Sequence, residues 1–309
     1  MTPDHRELKA NLALLTACLF WGISFSASKT ALAFIPPLTV VFLRLLISSL
    51  CFWAWMKWTG IRLDFNWNVR WILTMILLSL FGTSLHYATQ TVGIKFTTAS
   101  NASVFPATGP ILIMVISALF LPERITRQKL AGILLSLLGI GLVIGPDTLL
   151  QFRLRGHLLG DFLVLLSILM WAVFTVLSKH TLRRSAPLKL TALITFLGTL
   201  TMAPAALWEI ASGEGLPSFA VPAVAWGSVI FLGVTCSFLA TLLYVFALGE
   251  IDSQIAGIYL YTVPPIGVLF AVLFLKETIR WPMVLGIGLV ILGVCIAQRE
   301  SRKTALPPG

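Results

Sequence analysis

The sequence predicts an all-α membrane protein with ten transmembrane helices arranged as two inverted five-helix repeats. Two observations lead to this prediction. Hydrophobic residues make up 58% of the 309-residue chain and charged residues 11%, with a mean hydropathy of +0.94. One soluble domain cannot bury that much apolar surface, so lipid has to be the solvent. The second observation is a set of residues that occurs twice along the chain at a nearly constant spacing.

Ten apolar segments, each of about 20 residues, are long enough to cross a bilayer as helices. They are continuous rather than alternating, which favours helices over the strands of a membrane barrel. The first is too long for a signal peptide and no small-residue cleavage site follows it, so we interpret it as a retained span. We place the ten segments at about residues 11–33, 38–57, 71–92, 98–121, 128–146, 158–179, 188–208, 223–247, 253–275 and 282–298.

The repeated residues divide the chain into two equivalent halves. We assign residues 1–148 to the first repeat, 157–298 to the second and 299–309 to a cytoplasmic tail. With five spans in each repeat, the second lies upside down relative to the first, which is typical of carriers that work by alternating access. Five residues recur 150 positions further on and four recur 154 positions further on: Trp21, Ser28, Lys29, Pro37 and Leu38 in the first set, Pro110, Glu123, Gly132 and Gly139 in the second.

Basic residues in the loops predict the orientation in the membrane. The side that holds both termini carries fifteen of the 22 lysines and arginines, against six on the other side. Because positive loops stay on the cytoplasmic side, both termini are expected in the cytoplasm. The net charge of +10 reflects this excess of basic loop residues. These residues are also expected to be attracted to anionic lipids of the bilayer. Nucleic acid is therefore not an expected partner.

Four stretches carry a resemblance to a known family. They are ALLTACLFWGISFSASKTAL with PPLTVVFLRLLISSL, and the matching pair FPATGPILIMVISALFLPERITRQKLAGILLSLLGIGLVI and YTVPPIGVLFAVLFLKETIRWPMVLGIGLVILGVCIA. Through these stretches nearly the whole chain, in both copies, resembles the EamA family of the drug/metabolite transporter superfamily. The resemblance implies a ten-helix carrier of the inner (plasma) membrane that exports amino acids or other small metabolites.

Two tryptophans predict the position of the substrate site. Trp21 and Trp171 each lie about ten residues, or roughly 15 Å, into a span, near the bilayer midplane where inverted-repeat carriers bind their substrates. Ser24 and Thr175 share the same helix faces. We expect these residues to line the site; packing between helices is the alternative role for the tryptophans.

The third span adds a polar stripe to the predicted site. His86, Tyr87 and Gln90 occur at helical spacing, and such a stripe is expected to face the bundle interior rather than lipid. Its counterpart in the second repeat includes Tyr244 and has no group that is ionisable near neutral pH. His86 is expected to contact the substrate or handle a proton, with hydrogen-bonded packing as the alternative.

Two prolines and two polar residues complete the set of predicted site residues. Pro110 and Pro264 occupy matching places in the fourth and ninth spans, where a missing backbone donor produces a kink that a gate can use. Asn101 and Tyr261 lie in the same two spans and are expected to bind substrate.

The absence of certain sequence features limits the possible substrates and energy sources. No carboxylate falls at mid-membrane and no phosphate-binding loop is present, so we expect no direct use of ATP, no cofactor and no metal. Carriers of cations usually need a membrane carboxylate, so its absence favours a neutral or zwitterionic substrate over a cationic drug; multidrug efflux is the alternative. Trp21, Trp171 and the tyrosines favour an aromatic substrate. Arg44, inside the second span, is interpreted as a structural anchor or as a group that binds a substrate carboxylate.

Three further interpretations complete the prediction. An intramembrane serine hydrolase using His86 is an alternative of another class, but no serine stands in a GxSxG turn, and we expect no enzyme. Glu123 and Glu277 are expected to cap free backbone donors of helices. Glycines in the fifth and tenth spans predict close helix packing, including a homodimer through these helices: Gly132, Gly139, Gly141, Gly145, Gly286, Gly288 and Gly293.

Overall fold

The computed structural model describes residues 3–63, 68–96, 108–144, 158–214, 221–266 and 281–304, and these residues form helices and connections without a strand. The helices are α1 (Pro3–Leu32), α2 (Pro37–Thr59), α3 (Val69–Phe96), α4 (Gly109–Phe120), α5 (Arg127–Ile144), α6 (Leu158–Thr181), α7 (Pro187–Glu209), α8 (Ala223–Glu250), α9 (Ser253–Tyr259) and α10 (Trp281–Thr304).

Six of these helices, α1, α2, α3, α6, α7 and α8, are long and apolar enough to cross a membrane. An all-α membrane protein is therefore confirmed, whereas ten spans and the inverted layout stay predictions. The helix ends differ from the expected ones mainly at the termini, because α1 begins at Pro3 and α10 runs to Thr304 through polar sequence. Of the fourth and ninth predicted segments, the structure describes only a part as helix.

Two long helices contain a wider turn at matching places. Residues Leu80–Ser84 in α3 and Leu232–Ala240 in α8 are π-helical, and the two segments correspond at the 154-residue spacing of the repeat. A π-helical turn disturbs the regular hydrogen-bond ladder, and such turns occur frequently at functional sites. Both segments lie beside the candidate site described below.

The helices pair across the two halves of the chain: α5 packs against α10, α2 against α7, α3 against α6, α1 against α8 and α4 against α9. The α5–α10 pair is antiparallel, because Gly132 faces Gly293 whereas the later Gly139 faces the earlier Gly286. A Cβ atom on Gly139 would lie 2.6 Å from the carbonyl oxygen of Gly286, so only glycine permits this approach. These glycines thus meet within one chain. The homodimer that we predicted through α5 and α10 stays untested.

One end of the bundle is fastened by charged side chains from two connections. The Glu123 carboxylate accepts hydrogen bonds from the backbone N–H groups of Ser253 (2.8 Å) and Gln254 (3.2 Å) and from the Ser253 hydroxyl. Glu123 therefore caps α9, a helix of the other half, as its helix-capping chemistry suggested. Lys129 forms an ion pair of 2.8 Å with Asp252 next to this cap. Glu277 lies outside the described residues.

A lysine from α6 strengthens the same end. The Lys179 ammonium donates to the carbonyl oxygens of Leu248 (2.8 Å) and Ile251 (2.7 Å), where α8 ends. Cations near a helix C-terminus satisfy carbonyls that have no partner within the helix. Lys29, the repeat counterpart of Lys179, lies near the opposite end of the bundle and is exposed.

Candidate substrate-binding site

Three aromatic rings from three helices meet in the interior of the bundle. Trp21 of α1 lies 5.2 Å from Trp171 of α6 in an edge-to-face arrangement, measured between ring centroids. Tyr244 of α8 lies 5.3 Å from Trp21 and 5.2 Å from Trp171. With His86 of α3, whose ring lies 5.1 Å from Trp171, they form what we call the aromatic cluster. Four residues that the sequence singled out are thus brought together.

Hydrogen bonds fix the orientation of these rings. The Trp21 indole N–H donates to the carbonyl oxygen of Cys236 over 3.3 Å, in the π-helical segment of α8. The Tyr244 hydroxyl lies 3.0 Å from the hydroxyl of Thr175, which also donates to the Trp171 carbonyl oxygen. A buried Trp or Tyr normally requires a partner for its polar atom. Thr175 therefore adjoins the aromatic cluster and positions Tyr244, and its role in binding substrate stays a prediction.

The π-helical segment of α3 lies close to the cluster through Phe174. Trp171 packs on Phe174 with ring centroids 5.0 Å apart, and the Phe174 ring lies directly over Gly82 of α3. A Cβ atom at position 82 would overlap that ring. Gly82 and Cys236 correspond at the repeat spacing, so equivalent positions of the two π-helical segments lie next to the cluster, Gly82 through Phe174 and Cys236 through Trp21.

His86 is buried, and one of its ring nitrogens has a defined role. Its Nδ1 lies 2.8 Å from the carbonyl oxygen of Ser167, and a carbonyl can only accept, so Nδ1 carries the hydrogen. In the neutral ring, Nε2 is then left as an acceptor. The Ser167 hydroxyl bonds to the carbonyl of Val164 instead. Within the described residues, therefore, no serine hydroxyl forms the dyad that a hydrolase needs.

Arg44 extends the site towards α2. Its guanidinium carbon lies 4.0 Å from the centroid of the Tyr87 ring, and its Nε donates to the Ser237 hydroxyl over 2.8 Å. The Tyr87 ring in turn lies 5.1 Å from His86. We interpreted Arg44 as an anchor or a carboxylate ligand without placing it among the site residues. The position of Arg44 inside an apolar span was the sequence feature that could have placed it among the predicted site residues.

Other predicted residues lie further from the cluster or bond elsewhere. Ser24 donates to the carbonyl oxygen of Trp21 in its own helix over 2.7 Å. Gln90 is half-buried, one turn beyond His86 in α3. Tyr261 is buried in the 3-10 turn after α9, and its hydroxyl has no hydrogen-bond partner among the residues that the structure describes.

The two prolines occupy equivalent local structures. Thr108 before α4 is in 3-10 conformation, and so is the turn Leu260–Thr262; in each case the helix continues through the proline, Pro110 or Pro264. A proline two residues into a helix removes a donor that has no partner there in any case. Their role in gating stays a prediction. Asn101 lies outside the described residues. Within the described part of the chain, no group of three or more His, Cys, Asp or Glu side chains is arranged to hold a metal ion.

The apolar helices and the buried polar groups between them define a multi-pass helical membrane protein. The chain belongs to the EamA-like transporter family, a part of the drug/metabolite transporter superfamily: the family's sequence profile matches residues 8–145 and again residues 158–298. The protein is therefore a membrane transporter.

Similar proteins are also named transporters. Two proteins of Archaeoglobus fulgidus, each named as an uncharacterized transporter, are 32% identical over 296 residues and 27% identical over 295 residues. These matches cover 96% and 95% of this chain and 99% and 100% of the relatives. The uncharacterized transporter YvbV of Bacillus subtilis is 26% identical over 300 residues, covering 95% of this chain and 93% of that protein.

A solved structure, described as the crystal structure of a protein, shares the fold. It superposes with a TM-score of 0.79 at 22% sequence identity and covers 94% of this chain and 98% of that chain. At this identity the likeness speaks for the fold alone.

Proposed function

We propose that this protein is a secondary transporter of the inner membrane that exports amino acids or related small metabolites by alternating access. The observation that carries the substrate class is the aromatic cluster, in which the rings of Trp21, Trp171 and Tyr244 meet and His86 adds an acceptor nitrogen. Aromatic and apolar side chains stack favourably on such rings. A neutral or zwitterionic substrate with an aromatic side chain fits this chemistry best.

Contacts between equivalent residues support an inverted repeat. A residue touches its own repeat counterpart only close to a two-fold axis. Trp21 contacts Trp171, and the Ser49 and Thr199 hydroxyls lie 2.8 Å apart, both pairs at a spacing of 150 residues. Ser136 lies 3.5 Å from the carbonyl oxygen of its counterpart at a spacing of 154. An axis through these pairs runs through the aromatic cluster, where substrate is bound in carriers of this kind.

The helix pairing supports the same arrangement. Exchanging the halves turns the α3–α6 pair into the α8–α1 pair, and both pairs are present. The antiparallel course of α5 and α10 agrees with halves that are inverted relative to each other. The double match to the family profile also supports two repeats.

The two ends of the bundle differ in their lysine contacts, although a carboxylate joins the halves at each end. At the end with Lys29, Glu209 accepts hydrogen bonds from the backbone N–H groups of Leu38 and Thr39. The end with Glu123 is fastened, because that carboxylate caps α9 and Lys179 binds the end of α8. Lys29, the repeat equivalent of Lys179, is exposed and makes no side-chain hydrogen bond among the described residues. Loop charge assigns the Glu123 end to the cytoplasm, so in the proposed mechanism the Lys179 contact belongs to a state that is closed on that side. In the opposite state, Lys29 would take the role of Lys179.

The positions of the charges disfavour the alternative of a cationic drug carrier. Among the described residues, the carboxylates lie at helix ends or in connections, as Glu123, Asp161, Glu209 and Asp252 do, while the charged side chain beside the cluster is cationic Arg44. A cation in the site would be repelled by this group.

Counterflow of radiolabelled phenylalanine in proteoliposomes tests the proposal. We expect saturable uptake, and Trp171→Ala should raise the apparent KM about tenfold by removing several ring contacts. Trp58→Ala is the matched control, since that side chain is 82% exposed, and it should leave transport unchanged. An absence of counterflow with every amino acid supplied would refute the proposed substrate class.

A further inference from the structure

Arg44 is a buried cation within an apolar helix. It is the eighth residue of α2, about 10 Å from the start of that helix, and its side chain is 5% exposed. A charge at such a depth is costly unless another group compensates it.

The partners of Arg44 in the protein do not neutralise it. Its Nε donates to the Ser237 hydroxyl, and its planar guanidinium stacks on the Tyr87 ring. Within the described residues, no carboxylate lies within ion-pair distance, and the two Nη groups make no hydrogen bond. Those Nη groups are the part of the guanidinium that binds carboxylates in a bidentate manner.

The second repeat shows that the helix junction does not require a cation. The counterpart of Arg44 is Ile194 in α7, and the counterpart of Ser237 is Thr83 in α3. There the Thr83 hydroxyl lies 3.4 Å from the carbonyl oxygen of Ile194. The equivalent pair of helices, α3 and α7, therefore packs with a buried apolar residue in place of the arginine. A purely structural role therefore leaves the charge of Arg44 unexplained.

We infer that Arg44 is the carboxylate-binding subsite of the substrate site. This inference rests on the proposed function and names the group that the substrate must carry. Tyr87 holds the guanidinium plane, and the carboxylate binds its Nη groups. His86, adjacent to Tyr87, accepts a hydrogen bond from the substrate ammonium at Nε2, and the aromatic cluster receives the side chain. The site therefore selects carboxylate-bearing aromatic molecules over the corresponding amines.

Ligand-induced stabilisation of the purified full-length protein in detergent tests this inference. The probes are 3-phenylpropionate, which has the carboxylate alone, and phenethylamine, which has the amine alone. We expect 3-phenylpropionate to raise the unfolding temperature of the wild type and phenethylamine to have little effect. Arg44→Gln should weaken the apparent affinity for 3-phenylpropionate at least about tenfold, as expected for loss of a charge-assisted hydrogen-bonded pair.

Arg70→Gln is the matched control, because it removes an exposed arginine of α3, and it should bind 3-phenylpropionate like the wild type. Arg44→Lys should retain part of the affinity. Should Arg44→Gln fail to fold, the comparison of the two probes on the wild type decides. Equal stabilisation of the wild type by both probes, none by 3-phenylpropionate, or unchanged affinity in Arg44→Gln would overturn the inference.

The same variants separate this inference from the proposed function. Stabilisation by 3-phenylpropionate that depends on Arg44, without counterflow of phenylalanine, would uphold the carboxylate subsite and refute amino acid transport. Phenylalanine counterflow with an unchanged KM in Arg44→Gln would uphold the transporter proposal and refute the subsite.

Discussion

His86 is held in one tautomer by a backbone carbonyl, and this constraint gives its other nitrogen a defined chemistry. Because Nδ1 donates to Ser167, the neutral imidazole presents an acceptor at Nε2. The rings of Trp171 and Tyr87 both lie against the imidazole, with centroids 5.1 Å from it in each case. A fixed acceptor next to aromatic surfaces suits the ammonium group of an amino acid.

Replacement of His86 by alanine should impair transport and leave membrane insertion intact. Losing a hydrogen bond to a charged substrate group is expected to lower the transport rate at subsaturating substrate about tenfold or more. His180→Ala is the control, since that histidine is exposed at the end of α6. Unchanged transport by the His86→Ala variant in proteoliposomes would remove His86 from the site.

The sequence could predict that the residues of the aromatic cluster meet. The repeat places Trp21 and Trp171 at equivalent depths, and polar groups such as His86 in an apolar helix face inward. The role of Arg44 could not be derived in the same way. Whether a cation in a span is paired depends on which residues of distant helices surround it. Only the folded chain shows that Ser237 and Tyr87, but no described carboxylate, adjoin it.

Helices α5 and α10 show what a glycine pattern reveals and what it leaves open. The spacing of small residues predicted a close helix contact, and Gly132 and Gly139 indeed face Gly293 and Gly286. The pattern does not identify the partner, because contacts within a chain and between chains use the same small residues. The π-helical segments of α3 and α8 carried no such signal in the sequence.

Replacement of Gly139 by leucine should destabilise the protein, because the new side chain would meet the backbone of α10 rather than a movable side chain. Overpacking of this kind costs about 1–3 kcal/mol, or more where backbones have to separate. Gly288→Leu is the control, since a Cβ atom there has open space around it. Thermal unfolding in detergent measures both, and equal stability of the two variants would contradict the close packing of α5 on α10.

At the scale of the whole molecule, the proposed two-fold relation connects the fold to the mechanism. Equivalent residues meet at Trp21–Trp171 and Ser49–Thr199, so both halves contribute to one central site. The scaffold is nearly symmetric, whereas the polar groups are not: Arg44 and His86 have Ile194 and Ala240 as counterparts. In the proposed mechanism, symmetry would provide two equivalent states of access, and the asymmetric side chains would provide recognition.

Labelling of single cysteines tests the inverted repeat most directly. Phe34 and Arg184 are exposed residues 150 positions apart, just after α1 and α6. In a variant without the four natural cysteines, a membrane-impermeant maleimide added to intact cells should label position 34 at once. Position 184, like a control cysteine at Thr59, should react only after the membrane is opened. Labelling of positions 34 and 184 from the same face would contradict the inverted repeat and the alternating-access mechanism built on it.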